Sequence, residues 1–103
     1  MTKPLVLALV SETAPVSALV AGFEEEGVPL TVEIVDPGEP VGLAREAARA
    51  TALGLGIGGD GSRVALLLAA APARPYLEAS AEGARDFAQA AARVAARRPL
   101  RYG

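Results

Sequence analysis

The run Leu5-Val6-Leu7-Ala8-Leu9-Val10, six apolar residues closed by Ser11-Glu12-Thr13, constrains this chain more than any other feature of it. Successive side chains of a strand point to opposite faces, so a strand without a polar position has to be covered on both sides. The run is too short to span a membrane and poor as a signal peptide. It reads as a buried central strand, with helices to follow.

Pro15 suits a first helical turn with Thr13 or Ala14 near the N-cap, and Val16, Leu19, Val20 and Phe23 recur at spacings of three and four. That stripe ends at Gly27, a natural residue to follow a helix C-cap. Leu30–Val35 is β-branched and alternating, which predicts a second strand with Leu30, Val32 and Ile34 on one face. After a turn at Asp36-Pro37-Gly38, a second helix is expected from about Val41 to Leu53. Glu39 and Pro40 stand at its start, Leu43, Ala47, Ala50 and Leu53 face inward, and Arg45 and Arg49 share one face. The segment LGLGIGGDGSRVALLLAA reads as a hairpin, two apolar pieces around a glycine cluster with Asp60-Gly61. Tyr76 and Leu77 are strand-like behind two prolines. An alanine-rich helix closes the pattern, with Ser80 and Gly83 near its start, Phe87, Ala91 and Val94 on its buried side, and Leu100 beyond. The order βαβαβββα implies a mixed sheet with helices on both faces, mostly parallel with one antiparallel strand. With 103 residues, 51% of them hydrophobic, and neither repeat nor linker, residues 1–103 form a single domain.

Composition then narrows function. A net charge of -2 gives no electrostatic reason to expect nucleic acid or an anionic membrane as partner. There is no Cys, which removes disulfides, thiolate nucleophiles and Cys-ligated metals and leans toward the cytosol. There is no His, so a Ser-His relay and an ordinary zinc site are excluded, and catalysis would rest on carboxylates, Lys3, arginines, two tyrosines or a bound cofactor.

Four groups of residues remain. Gly54-x-Gly56-x-x-Gly59 and Gly56-x-Gly58-x-x-Gly61 both satisfy the dinucleotide-binding pattern. That chemistry needs the glycines to open a helix whose amides meet a pyrophosphate, and the segment after them reads as a strand. A structural turn with close backbone approach is the expectation. Gly56, Gly58 and Gly59 stay as weak cofactor candidates if the bare backbone admits a flat ligand or a neighbouring subunit. Glu24, Glu25 and Glu26 sit where the helix dipole is negative, at a cost of about 0.3–1 kcal/mol each when exposed. They form either a solvated acidic face or an interface at which one carboxylate completes a hard-cation site built mainly by another chain. Arg93, Arg97, Arg98 and Arg101 are favourable near a helix C-terminus. Ser11, Glu12 and Thr13 follow the first strand, where open α/β sheets place ligands, although Thr13 is equally a cap.

The segments AGFEEEGVPLTVEIV, AREAARATALGLGIGGDGSRVALL, PYLEA and AARVAARRPLR, in this order and spacing, resemble one protein family. It unites the small subunit of the diol/glycerol dehydratase reactivating factor with the medium subunit of the cobalamin-dependent dehydratase. The resemblance implies a three-layer α/β/α fold of five mixed strands, in the order 2-1-3-4-5 with strand 4 antiparallel. It also implies a non-catalytic, chaperone-like role. The small subunit pairs with an actin-like ATPase large subunit and exchanges with the dehydratase medium subunit. Steric conflict then opens the enzyme and releases damaged cobalamin, so cobalamin belongs to the client and ATP to the large subunit. The residue carried over is Glu25, as ligand of a divalent cation, Mg or Ca, shared with the large subunit; Glu24 and Glu26 flank it as interface charges. The chain starts almost on its first strand, as reactivase small subunits do, whereas GLGIGGDGSR looks more like the medium subunit, where this region lies near cobalamin. The expectation is therefore a cytoplasmic or microcompartment-associated reactivase small subunit, for a glycerol or propanediol dehydratase. The alternatives are a shortened dehydratase medium subunit and a stand-alone small-molecule-binding module.

Overall fold

In the computed structural model, which describes residues 2–97, the apolar run becomes β1 (Val6–Val10), every residue of it buried. Its alternation sorts the whole molecule. Val6, Ala8 and Val10 face a layer built by α1 (Val16–Glu25) and α3 (Ala84–Ala96), while Leu7 and Leu9 face α2 (Pro40–Arg49). The other strands are β2 (Thr31–Ile34), β3 (Leu55–Gly59), β4 (Arg63–Leu68) and β5 (Leu77–Ser80), with a short 3-10 turn (Ala81–Gly83) leading into α3. The sheet order is β2-β1-β3-β4-β5. β1 pairs in parallel with β2 and β3, and β4 runs antiparallel to both of its neighbours. This is the three-layer α/β/α arrangement with strand 4 reversed.

The two layers are packed by different means. Toward α1 and α3 the sheet offers Val6, Val10, Leu55, Ile57, Val64 and Leu66, which meet Leu19, Phe23 and Phe87 in one core of large side chains. Toward α2 it offers a lane of almost no side chain. Leu7 and Leu9 of β1 stand in register with Gly56 and Gly58 of β3, which pair in turn with Leu67 and Ala65 of β4. Ala44, Ala47 and Ala48 of α2 settle into that lane, all buried. A Cβ on Gly56 would strike the Ala48 nitrogen and the Ala44 oxygen, and one on Gly58 the Pro40 oxygen. The glycines are therefore strand residues that let a helix backbone lie on a strand backbone. The loop proper is Asp60–Ser62, where Asp60 Oδ1 accepts from the Ser62 and Arg63 amides, each at 2.8 Å.

Several expectations are corrected here. Pro15 is itself the N-cap of α1 and Val16 its first residue; among the described residues no side chain caps it, and the Thr13 hydroxyl lies 3.1 Å from the Ser11 hydroxyl. α2 stops at Arg49 rather than near Leu53. The Thr51 hydroxyl closes its end, donating to the Ala48 oxygen at 3.2 Å and accepting from the Leu55 amide at 2.9 Å. Ala50 is exposed, and Leu53 is buried in the opposite core. Ile34 is 56% exposed, since β2 is an edge strand and Ile34 lies outside the core against which Leu30 and Val32 pack. β5 begins one residue later than expected, leaving Tyr76 55% exposed although its amide still bonds to the Leu66 oxygen. Leu100 lies outside the described residues.

Gly27 does end α1. With φ at +70°, it lets its own amide reach the Glu24 oxygen and the Val28 amide reach the Phe23 oxygen, both at 3.1 Å. This is the left-handed cap in which both bonds run back over the last turn. Gly27→Ala meets no steric neighbour but must hold a Cβ at that φ, at about 1–2 kcal/mol. Its thermal midpoint is expected to fall by about 4–8 °C per kcal/mol, read by circular dichroism.

Candidate functional site

The acidic end of α1 reaches its neighbours through a glycine. At Gly22 a Cβ would lie 2.5 Å from the Ala88 Cβ and 2.7 Å from the Arg85 oxygen, so α1 and α3 cross with their backbones nearly touching. The last turn of α1 is thereby held beside the outer face of α3, where Arg85, Gln89 and Arg93 follow one another at intervals of four, the spacing that stacks side chains on one helix face. Arg85 Nε donates to Glu25 Oε1 at 2.6 Å, and Gln89 Nε2 to Glu25 Oε2 at 2.9 Å. Arg93 grips Glu26 with Nε and Nη2, at 3.2 and 3.3 Å. Glu24 is exposed and its carboxylate has no partner among the described residues.

Two of the three carboxylates thus have a local answer to the unfavourable helix dipole: cations supplied by another helix. The hydrogen bond from Arg85 is the largest cause that holds the Glu25 carboxyl below its ordinary value; burial opposes it, and the Arg85 charge and the Gln89 amide add to it. The Arg85 guanidinium is correspondingly raised. The unfolded chain titrates Glu25 at its ordinary value of 4.5, the folded chain lower, so the clamp's contribution is complete above that value and vanishes as pH falls through the folded one. The stability difference between the wild type and Glu25→Gln is therefore expected at neutral pH and should shrink below pH 4.5, by urea titration at each pH.

Sequence reasoning singled out Arg93 only as a cation near a helix C-terminus, and it missed Arg85 and Gln89. Their spacing of four on a helix was the available signal. Arg97 is at the C-cap of α3 and exposed, in keeping with a dipole role, while Arg98 and Arg101 lie outside the described residues. Ser11 is buried, its amide bonded to the Gly59 oxygen, and Gly61 packs against Thr13, so the backbone at the end of β1 is occupied within the chain. Gly56 and Gly58 are covered by α2, and a Cβ on Gly59 would touch Val64 and Val10. The neighbour that the bare backbone admits is this chain's own helix.

Among the described residues no three acidic side chains gather to hold a metal ion. Glu25 fits a shared site as one donor. It is exposed and ionised, and each of its oxygens, engaged once, keeps an acceptor position. The other oxygens of such a site would have to come from elsewhere. Among the described residues no helix is long and apolar enough to cross a membrane.

The family model described as dehydratase medium subunit matches residues 3–101. The chain belongs to this family. No curated protein matches it. Two solved structures share the fold of this family member. A chain from the structure of a diol dehydratase-reactivating factor complexed with ADP and Mg2+ superposes with a TM-score of 0.81 at 23% identity, over 99% of this chain and 100% of that one. A glycerol dehydratase reactivase chain gives a TM-score of 0.81 at 24% identity, over 96% and 97%.

Proposed function

We propose that this chain is the small subunit of a reactivating factor for a cobalamin-dependent diol or glycerol dehydratase. The observation that carries this reading is the end-to-end agreement of its fold with a reactivating-factor chain, 99% of one against 100% of the other, within the dehydratase medium-subunit family. The mechanism proposed with it is the one that the family resemblance implies. A small subunit shaped like the dehydratase medium subunit competes for the same place on the dehydratase large subunit, and the conflict that follows opens the enzyme and lets damaged cobalamin leave. The work is a choice between alternative interfaces, biased by the nucleotide on an actin-like large subunit. This chain contributes shape and an interface, not a catalytic group.

Glu25 is the residue proposed to join that interface, as one ligand of a divalent cation, Mg or Ca, otherwise held by the large subunit. Arg85 and Gln89 support this by fixing the direction and the charge of its carboxylate before assembly. The proposed setting is the cytoplasm or a bacterial microcompartment. The test is gel filtration of the chain with the actin-like subunit: a stable complex is expected with ADP and Mg2+, loosened by ATP, and failure to bind under either condition contradicts the reading.

The family's own description favours a second reading, a shortened dehydratase medium subunit. On that reading the chain joins the dehydratase large subunit and alters the spectrum of added cobalamin. Since Gly56 and Gly58 lie under α2, cobalamin would be met by other residues.

A further inference from the structure

The sheet is covered unequally. Among the described residues α1 and α3 lie side by side on one face and α2 is alone on the other, over β3, β4 and β1. Beside it, above β1 and β2, remains a hollow of about 460 Å³. Its floor is Leu7, Leu9 and Val35, its wall Leu43 of α2, and its rim the carboxylates Glu33, Asp36 and Glu46. Through Val35 and Asp36 it runs on into a second hollow of about 300 Å³, bordered by Glu12 and the exposed Ile34. Among the described residues no Lys or Arg lines either hollow. The ion pairs among the described residues join Arg63 to Glu78, Arg85 to Glu25 and Arg93 to Glu26, and none uses these four acids.

We propose that this groove is a docking site for one amphipathic helix of another protein, laid beside α2 over β1 and β2. Its apolar stripe would meet Leu7, Leu9 and Leu43, and flanking Lys or Arg residues would meet Glu33, Asp36 and Glu46. Helices pack at about 8–10 Å between axes, and the opposite layer shows that this sheet carries two helices abreast. The charge selects the occupant. Nucleic acid and anionic lipid are repelled by the rim, and a second copy docked face to face would bring an identical acidic rim against the first. A bare cation is not the ligand either, since no three of these acids converge among the described residues. An apolar stripe edged with basic residues satisfies both floor and rim. The inference does not depend on the reactivating-factor reading.

The test uses the full chain, labelled with nitrogen-15, and a synthetic helix-forming peptide with leucines on one face and lysines beside them. Amide shifts are expected at Leu7, Leu9, Val35, Leu43 and Glu46. The paired substitution Glu33→Lys with Glu46→Lys, both on exposed side chains, should weaken binding at least about tenfold, while Glu24→Lys leaves it unchanged. A twin peptide with glutamates in place of the lysines should produce no shifts. Shifts scattered over the surface or centred on the α1–α3 carboxylates would overturn the proposal. So would binding indifferent to the Glu33 and Glu46 changes, or a chain that self-associates through this face.

Discussion

Gly58→Val unfolds the chain or forces α2 away from the sheet. A Cβ at Gly58 strikes the Pro40 oxygen and lies 2.5 Å from the Ala44 nitrogen, and these are backbone atoms with no rotamer to escape into. Overpacking a core by a methyl group or two costs about 1–3 kcal/mol when side chains can yield. Here the helix itself has to move, in a domain whose whole stability is about 5–15 kcal/mol. Gly58→Ala is expected to lose at least about 3 kcal/mol, and Gly58→Val to leave no cooperative transition in urea. Gly56→Ala should behave like Gly58→Ala, and the double alanine variant should lose less than the sum, because a helix displaced once already clears the second site. Gly61→Ala is the control. Its nearest contact is the Thr13 hydroxyl oxygen at 3.1 Å on an exposed loop, and its change should stay within about 0.5 kcal/mol.

Glu25→Gln should act on assembly instead. The side chain is exposed and its bonds to Arg85 and Gln89 face solvent, so the fold should survive its loss. If Glu25 ligates a cation at the large-subunit interface, replacing a charged oxygen donor by an amide removes a ligand that a hard cation selects for. Divalent-cation-dependent association, measured by calorimetry against the large subunit, should weaken at least about tenfold. Glu24→Gln, which disturbs no contact among the described residues, should stay close to wild type. Equal losses at both positions would return the triplet to general surface charge.

What the sequence disclosed follows from the range of each interaction. β1 was legible because an uninterrupted apolar run admits one placement, and Gly27 because the left-handed cap is a local demand. Ile34 misled because alternation tells which face a residue shares, not whether anything covers that face at a sheet edge. Ala50 misled because alanine is at home on either side of a helix. The glycine pattern showed close approach but not what approaches; the answer, α2, lies earlier in the chain and meets the glycines only through the packing of helix on sheet. The acidic helix end was visible as an electrostatic anomaly. Its partners were not, since Arg85 and Gln89 come 60 and 64 positions later and reach Glu25 only through the Gly22 crossing.

The most direct measurement begins with dehydratase locked on an inactive cobalamin, mixed with the actin-like large subunit, ATP and Mg2+, with and without this chain. The account predicts that cobalamin appears in the filtrate only when the chain is present, and that the dehydratase medium subunit is displaced as it does so. Cobalamin retained in both samples, or a chain that instead completes an active dehydratase in place of its medium subunit, would contradict it.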